Sequence, residues 1–223
     1  MEIHQDAAHP RSVSHAFQRP FLQRSQEFHI ICEPLLDCIM GQHVKDGKNS
    51  DEDPFEHSNP NLIMPKVLSI FDEVWKTHYD ESSNKSKRVL YHEHAGLLLS
   101  AISGTSFLTN PQFLEMTHTF LIRNPEKSVK SLYKAANFII KTDFNKSRVG
   151  LRESKQIFDL LKGLNKQLIV VDADDLINDP ERVLKKYCEL IGEEYKEEMI
   201  HWEAKPVNEW NVRNATDAKL MIQ

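Results

Sequence analysis

One segment near the middle of the chain, FLIRNPEKSVKSLYK (residues 120–134), combines residue types that can grip an anion. An apolar run leads to Arg123, Asn124 and Pro125 turn the chain, and Ser131 follows on the helix that the segment predicts. A guanidinium and a hydroxyl that converge at the end of a strand can bind a phosphate dianion through charge-assisted hydrogen bonds. The alternative is an ordinary strand, turn and helix with a solvated arginine, since most arginines lie at protein surfaces.

A second segment, AHPRSVSHAFQRPFLQR (residues 8–24), has the pattern of a phosphate-binding turn that runs into a helix. Free backbone N–H groups at a helix N-terminus favour anions, and here they would belong to Arg11, Ser12, Val13 and Ser14. The alternative is a polar turn in which Ser12 or Ser14 only caps the helix.

A third segment, YHEHA (residues 91–95), places His92, Glu93 and His94 at the end of a predicted strand. Because side chains alternate along a strand, His92 and His94 share one face. Histidine accepts a proton near neutral pH, so this face has the chemistry of a base. The alternative is that both rings only form structural hydrogen bonds.

Three other patterns are excluded as phosphate or metal sites. GQHVKDGKN (residues 41–49) has the wrong glycine spacing for a Walker loop, with Asn49 in place of its Ser/Thr, and no G-x-G-x-x-G occurs. Asp172, Asp174 and Asp175 are interpreted as strand-end and helix-capping residues, because no metal-ligand spacing reinforces them. The sequence therefore predicts no metal.

The elements that must position these residues alternate between strands and helices, which predicts βα units around a parallel sheet. The last three of four strand candidates have the pattern of strands buried on both faces. The strand candidates are residues 27–34, 88–94, 117–125 and 166–175, and the helix candidates are residues 65–79, 125–140, 153–164 and 178–192. Two polar stretches, residues 46–61 and 80–87, are predicted loops.

The start of the chain conflicts with this arrangement. A phosphate-binding turn normally follows a buried strand, yet only MEIHQDAA precedes His9, which is short and polar for a central strand. We therefore expect a sheet that lacks its first strand, or a start that is placed too late. Pro20 is expected to kink the helix that begins near Ser14.

The three segments together resemble a known family. R-N-P followed by a serine after five residues resembles the 3′-phosphate signature of sulfotransferases, and HPRSVSHAF resembles the 5′-phosphosulfate loop of fungal and bacterial sulfotransferase-like proteins. VVDADDLINDPERVLKKYCELIG, MIHWEAKP and EWNVRNA are similar to later parts of that family, so the resemblance spans residues 9–215. It implies one domain over residues 1–223, with a three-layer αβα fold of the P-loop NTPase-like type and a mostly parallel sheet. The family's nucleotide-covering C-terminal loop is not found after Ala215.

The resemblance implies transfer of a sulfuryl group from 3′-phosphoadenosine 5′-phosphosulfate to a hydroxyl of a small metabolite, in a secondary-metabolite pathway. The 3′-phosphate would lie on Arg123 and Ser131. The phosphosulfate would lie on residues 11–14, namely Arg11, Ser12, Val13 and Ser14.

The same resemblance assigns the proton chemistry to the YHEHA segment. His94 occupies the position of the family's base and Glu93 that of its acidic partner. His92 stands where the family has a lysine, so a permanent positive charge is replaced by a titratable one. That departure keeps a non-catalytic accessory protein of the same fold open as an alternative. A nucleotide hydrolase or kinase is the third reading, although the Walker lysine is missing.

Composition, charge and the lengths of apolar runs limit the classes of partner that the protein is expected to have. The chain has 223 residues, a formal charge of −5, 40% hydrophobic and 27% charged residues, which suggests neither disorder nor a nucleic-acid-binding surface. No apolar run reaches the ~18 residues of a membrane span, and the first residues lack a secretory core. The three cysteines lack metal spacing, which is typical of reduced thiols in the cytoplasm. No nucleic-acid or membrane partner is expected, and the sequence carries no signal for the oligomeric state.

Overall fold

The computed structural model describes residues 3–36, 69, 72, 76, 88–100, 110–140, 144 and 146–202. Several sequence predictions lie wholly or largely outside these residues. They are the Walker-like segment 41–49, the loops 46–61 and 80–87, most of the helix candidate 65–79, and the tail beyond residue 202.

Five parallel strands form one sheet in the order β2-β3-β1-β4-β5. The sheet and its flanking helices have the predicted three-layer α/β arrangement. The strands are β1 (Ile3–Ala8), β2 (Phe28–Cys32), β3 (Arg88–His94), β4 (Thr117–Ile122) and β5 (Leu168–Asp172).

Strand β1 corrects the expectation of a missing first strand. All six residues of Ile3–Ala8 are buried, and the strand lies at the centre of the sheet between β3 and β4. Its polar side chains are tolerated there because the neighbouring strands offer polar partners. The Asp6 Oδ2 and His92 Nδ1 atoms are 3.0 Å apart, and the Gln5 Oε1 and His118 Nδ1 atoms are 3.1 Å apart. Hydrogen bonding removes much of the cost of burying such groups.

The four strand candidates are confirmed, but the burial predicted for β5 is wrong. Strand β3 is buried on both faces along its central residues. Strand β5 lies at the edge of the sheet, and Val170 in its middle is 49% exposed. A β-branched residue suits a strand whether or not its face is covered, so the apolar run did not distinguish the two situations.

The structure gives the bounds of seven α-helices, and the predicted helices at residues 125–140, 153–164 and 178–192 are confirmed. The last of these has the predicted Asp179 N-cap and a left-handed Gly192 at its C-terminus. Short π- and 3₁₀-helical segments occupy Ala135–Ile140, Lys146–Val149 and Glu197–Met199. The α-helices are α1 (Ser14–Leu22), α2 (Ala95–Ser100), α3 (Pro111–Glu115), α4 (Pro125–Lys134), α5 (Leu151–Gly163), α6 (Ala173–Asn178) and α7 (Pro180–Ile191).

Two apolar clusters cover the two faces of the sheet. One combines Val89 and Phe120 with residues of α2 and α5. The other combines Leu90 and Leu121 with residues of α1, α6 and α7. Because successive strand residues point to opposite faces, these adjacent pairs place helices on both sides.

The connections change direction at β1. The chain leaves β1 for β2 on one side of the sheet, and after β3 it crosses to β4 on the other side. The last residue of β1, Ala8, pairs with His94 of β3 and with Leu121 of β4, so the three strands end at the same level. Open parallel sheets bind ligands in the crevice at such a switch point. None of the described helices is long and apolar enough to cross a membrane.

Candidate functional site

The loop after β1 has an alternating backbone conformation that suits an anion. Arg11 and Val13 have positive φ angles of 65° and 71°, on either side of the fully buried Ser12. Alternation between right- and left-handed residues turns successive N–H groups toward one side and forms an anion-binding concavity. Helix α1 starts directly afterwards with Val13 as its N-cap, and no side chain caps it there. The first N–H groups of the helix therefore lack the usual capping side chain.

The two segments predicted to bind phosphate come together at this loop. Arg11 donates from Nε to Ser131 Oγ over 2.9 Å, although the two residues are 120 positions apart. Arg123 donates from Nη1 to the backbone oxygen of Arg11 over 3.0 Å. The ends of β1 and β4 position the two arginines, and helix α4 positions the serine. One guanidinium, one hydroxyl and a second guanidinium thus line the same corner.

Two positive charges lie close together in this corner. Within the described part of the chain, neither Arg11 nor Arg123 forms an ion pair with an acidic residue. Burial, and then the charge of Arg123, lowers the pKa of Arg11. The Ser12 hydroxyl and Arg123 Nε are buried without a hydrogen-bond partner among the described residues. Uncompensated donors and charges of this kind are costly unless an anion binds.

His9 fixes the spacing between β1 and β4, a role that the sequence did not indicate. Its Nε2 accepts from the backbone N–H of Arg123 over 3.1 Å, and its Nδ1 lies 3.1 Å from the Pro10 oxygen. Burial lowers the pKa of His9, in keeping with a neutral ring that accepts at Nε2. Gly150 lies against this loop, where an added Cβ would approach the Pro10 side chain to 3.2 Å. The glycine permits this close approach and also has a φ of 72°.

A chain of acidic and imidazole side chains lies beside the anion loop. His92 Nδ1 is 3.0 Å from Asp6 Oδ2, and His92 Nε2 is 3.7 Å from Glu33 Oε1. The same Glu33 oxygen is 3.1 Å from His94 Nε2. His92 and Asp6 are completely buried, whereas the side chains of His94 and Glu33 are partly exposed. The order is therefore Asp6, His92, Glu33, His94, from the interior outward.

The charges in this chain stabilise one another. Burial opposes the charged forms of His92 and Glu33. The carboxylates of Asp6 and Glu33 outweigh this effect at His92 and raise its pKa. The charges and hydrogen bonds of His94 and His92 in turn hold the pKa of Glu33 well below its ordinary value, against the effect of burial. Without a metal ion, these carboxylates therefore favour the protonated form of His92. The position that the resemblance assigned to a lysine is then occupied by a positively charged group.

Glu93, the acidic partner suggested by the sequence, lies on the opposite face of β3. Its Oε2 accepts from the Leu35 backbone N–H over 2.8 Å and its Oε1 from the His94 backbone N–H over 2.9 Å. Burial raises its pKa to about 7. Glu33 takes the place beside the His94 ring that we expected for Glu93. Alternation along the strand makes this unavoidable, since residues 92 and 94 share one face and 93 faces away.

His15 connects the two parts of the site. It lies in the first turn of α1, and its pKa is lowered to about 4, chiefly by burial. Smaller influences come from the charges of Glu33, His92, His94 and Arg11. His15 directly follows the anion loop in the chain, and its ring lies near the Glu33 carboxylate, with the ligand atoms of the two residues within 4.8 Å of each other.

The acidic residues at the end of β5 have the structural role expected of them. Asp172 Oδ1 accepts from the Asp174 backbone N–H over 2.7 Å and caps α6. Asp174 pairs with Lys127 over 2.8 Å.

Comparison with known proteins supports the fold and gives a distant sequence relationship. No protein-family profile matches the chain. It is 26% identical over 209 residues to branched-chain-amino-acid aminotransferase-like protein 2 of Arabidopsis thaliana, and 26% identical over 202 residues to protein 1 of the same name. These matches cover 94% and 90% of the chain but only 33% and 32% of the relatives, so the chain spans about a third of their length.

Among solved structures, the sulfotransferase domain from the Synechococcus PCC 7002 olefin synthase is similar, with a TM-score of 0.55. The alignment covers 97% of the chain and 82% of that domain, at 16% identity. The protein thus has a sulfotransferase-like α/β fold, as the sequence resemblance implied.

Proposed function

We propose that the protein binds 3′-phosphoadenosine 5′-phosphosulfate and transfers its sulfuryl group to a hydroxyl of a small metabolite. The observation that carries the proposal is the convergence of Arg11, Arg123 and Ser131 at the carboxyl edge of β1 and β4, where neither arginine forms an ion pair with an acidic residue among those described. Such a set of donors fits a dianion. The sulfotransferase-like fold supports this choice of donor molecule.

The two ends of the donor would use different groups. Arg123 and Ser131 bind the 3′-phosphate, and the loop of Arg11, Ser12, Val13 and Ser14 binds the phosphosulfate. Backbone N–H groups that are already aimed at the transferring group stabilise the charge that develops on its oxygens, without reorganisation during the reaction. The Ser12 hydroxyl, buried without a hydrogen-bond partner, adds a further donor there.

His94 removes the proton of the acceptor hydroxyl in this scheme. Its Nε2 faces the Glu33 carboxylate and therefore carries the ring proton, which leaves Nδ1 as the basic atom. In-line attack then forms the bond from acceptor oxygen to sulfur as the bond from sulfur to the phosphate oxygen breaks. The proton passes to His94, and adenosine 3′,5′-bisphosphate leaves with the electron pair of the broken bond. His92 contributes positive charge from inside the protein.

Isothermal titration calorimetry with adenosine 3′,5′-bisphosphate tests the donor assignment. We expect one site per chain and at least tenfold weaker binding to Arg123→Ala, because hydrogen bonds to charged groups contribute about 1.5–3 kcal/mol each. Adenosine 5′-monophosphate, which lacks the 3′-phosphate, should bind more weakly to the native protein and lose little on the substitution.

A matched control is Arg182→Ala, since Arg182 pairs with Asp179 on the exposed surface of α7. It should bind like the native protein. No heat of binding to the native protein, or equal binding by Arg123→Ala, would refute the donor assignment.

A non-catalytic protein of the same fold is the second candidate, favoured by the burial of His92. The His92 side chain is completely enclosed, and its nitrogens face Asp6 and Glu33. A group held in this way cannot reach a donor oxygen as an extended lysine could. Mass spectrometry for sulfated products after incubation with the donor and a panel of hydroxylated metabolites decides between the two. Any product above the level of Arg123→Ala eliminates the non-catalytic candidate.

A further inference from the structure

The histidine and glutamate groups beside the anion loop have the composition of a transition-metal site. Glu33, His92 and His94 each offer one ligand atom, and these atoms lie within 4.8 Å of one another. Two imidazoles and one carboxylate are a ligand set of catalytic zinc sites, in which a fourth position stays open. No local pattern indicated this site, because Glu33 directly follows β2 whereas both histidines lie on β3.

The spacing of these atoms fits a single ion. The Glu33 Oε1 atom is 3.1 Å from His94 Nε2 and 3.7 Å from His92 Nε2. Ligands about 2.0–2.2 Å from zinc in a tetrahedron lie roughly 3.3–3.6 Å apart, so small side-chain rotations suffice. His92 and His94 are two residues apart on one strand face, with ring centres 5.5 Å apart.

The contact between His92 and Asp6 points independently to His92 as a ligand. His92 is fully buried, and within the described part of the chain its Nε2 has no partner at hydrogen-bond distance, with Glu33 Oε1 3.7 Å away. Its other nitrogen, Nδ1, lies 3.0 Å from Asp6 Oδ2. A metal-bound histidine almost always presents its second nitrogen to a carboxylate or carbonyl in this way, which fixes the ring and its tautomer. Orientation of a metal ligand accounts for the buried aspartate on the central strand of the sheet.

Further donors lie on the other side of Glu33. His15, Cys32 and Glu33 form a second group whose ligand atoms also lie within 4.8 Å of one another. Glu33 itself has a φ of 50°, a left-handed conformation that is uncommon outside glycine and is often found at functional sites. Imidazole and thiolate both suit zinc, and they suit the harder calcium and magnesium ions poorly.

We propose that Glu33, His92 and His94 bind one zinc ion, with Asp6 orienting His92. The site is independent of donor binding, which uses Arg11, Arg123 and Ser131. It has a consequence for the proposed function, because zinc on His94 Nε2 and Glu33 leaves the proton of the neutral ring on Nδ1, the atom that must take the proton of the acceptor hydroxyl. Bound zinc is therefore an inhibitor of sulfuryl transfer.

Metal binding to the purified full-length chain without an affinity tag tests the proposal in the absence of any nucleotide. Equilibrium dialysis against zinc at neutral pH, followed by elemental analysis, should give one zinc per chain. Glu33→Gln and His94→Gln should each weaken binding 10–100-fold or more. Cobalt should give the intense visible absorption of a tetrahedral site, lost in the same two variants. Asp6→Asn should weaken zinc binding about 10–100-fold, the usual effect of changing a residue that hydrogen-bonds and orients a metal ligand.

Two control variants separate the site from other ligands. His201→Gln changes an exposed histidine near the end of the described chain, and Cys188→Ser changes a buried thiol in α7. Both should keep one zinc. Circular dichroism and thermal unfolding show whether each variant is folded. Substitution of His94 should disturb folding least, because its side chain is partly exposed. Less than one zinc in the native protein, or undiminished zinc binding by folded His94→Gln, overturns the proposal. Neither result bears on binding of adenosine 3′,5′-bisphosphate.

Discussion

Arg11 and Ser131 illustrate how the site is prepared before a ligand arrives. Their hydrogen bond of 2.9 Å holds a long, flexible side chain in one position. Arg123 adds a second restraint through the Arg11 backbone oxygen. Fixing side chains in advance lowers the entropy that binding would otherwise remove. The same contacts keep two guanidinium groups close together, an arrangement that an anion relieves.

Ser131→Ala tests this preparation. The substitution removes a donor to the ligand and the acceptor that holds Arg11, so we expect 10- to 100-fold weaker binding of adenosine 3′,5′-bisphosphate, about 1.4–2.8 kcal/mol. Calorimetry measures the change. Ser128→Ala is the matched control, because Ser128 lies on the same helix and its hydroxyl donates to the Pro125 oxygen instead. Equal losses in both variants would show that the helix, and not the Ser131 hydroxyl, matters.

At the scale of elements, the entry into α1 stores strain. Val13 is β-branched and yet has a φ of 71°, a conformation that costs about 1–2 kcal/mol for a residue with a Cβ. The arrangement persists because the loop must turn its N–H groups toward one side directly before the helix. Strain of this sort at the carboxyl edge of a central strand is expected where a ligand binds.

Val13→Gly should therefore stabilise the protein. Glycine removes the strain of about 1–2 kcal/mol. It also makes the unfolded chain more flexible, which lowers the free energy of unfolding by about 0.5–1 kcal/mol. We expect a net increase of roughly 0.5–1 kcal/mol in the free energy of unfolding, measured by chemical denaturation. Val183→Gly, in the regular helix α7, should have the opposite sign. Destabilisation by Val13→Gly would mean that packing of the valine outweighs its backbone strain.

The elements with local signals were predictable from the sequence. Helix α7 has an Asp179 cap, a proline at its first position and Gly192 at its end, and each signal acts within a few residues. Strand β1 was not recognised, because its polar residues become acceptable only beside His92 and His118 of other strands. Those partners are 86 and 113 residues away, beyond any local pattern.

The residues of the candidate site also separate into those that a local motif predicts and those that it does not. Arg11, Arg123 and Ser131 were predicted because each lies in a recognisable motif, and the structure brings them together. Glu33 was missed, although the parallel pairing of Cys32 with His92 places it beside the end of β3. Strand order determines which side chains meet at the sheet edge, and a single sequence does not reveal that order.

For the whole molecule, two buried or paired groups outside the candidate site contribute to the loss of stability in acid, beside His9 and His15, whose pKa values burial also lowers. His118 lies on β4 beside Gln5 of β1 and is completely buried, and burial lowers its pKa to about 4, with a smaller effect from the charge of Lys166. Glu27 joins Arg24, Arg88 and Lys196, which hold together the end of α1, the start of β3 and the segment after α7. Hydrogen bonds from Arg24 and Lys196 lower its pKa to about 2.

Both shifts make the folded state bind protons less readily than the unfolded chain, so acid destabilises it in two successive windows. The contribution of His118 is complete above pH 6.5 and is lost as the pH falls to about 4. That of Glu27 is complete above pH 4.5 and is lost toward pH 2. Urea unfolding at several pH values should show His118→Gln flattening the upper window, by on the order of 3 kcal/mol. Glu27→Gln should flatten only the lower one.

The exposed pair of Glu181 and Lys185 provides the control for this experiment. Glu181→Gln should leave both windows unchanged, because exposed helical pairs contribute only about 0.3–0.5 kcal/mol. If His118→Gln retains the full loss of stability between pH 6.5 and pH 4, the histidine is not the group that titrates there. The buried polar side chains of β1 would then stabilise the fold through hydrogen bonds, and titration of His118 beside them would not make it sensitive to acid.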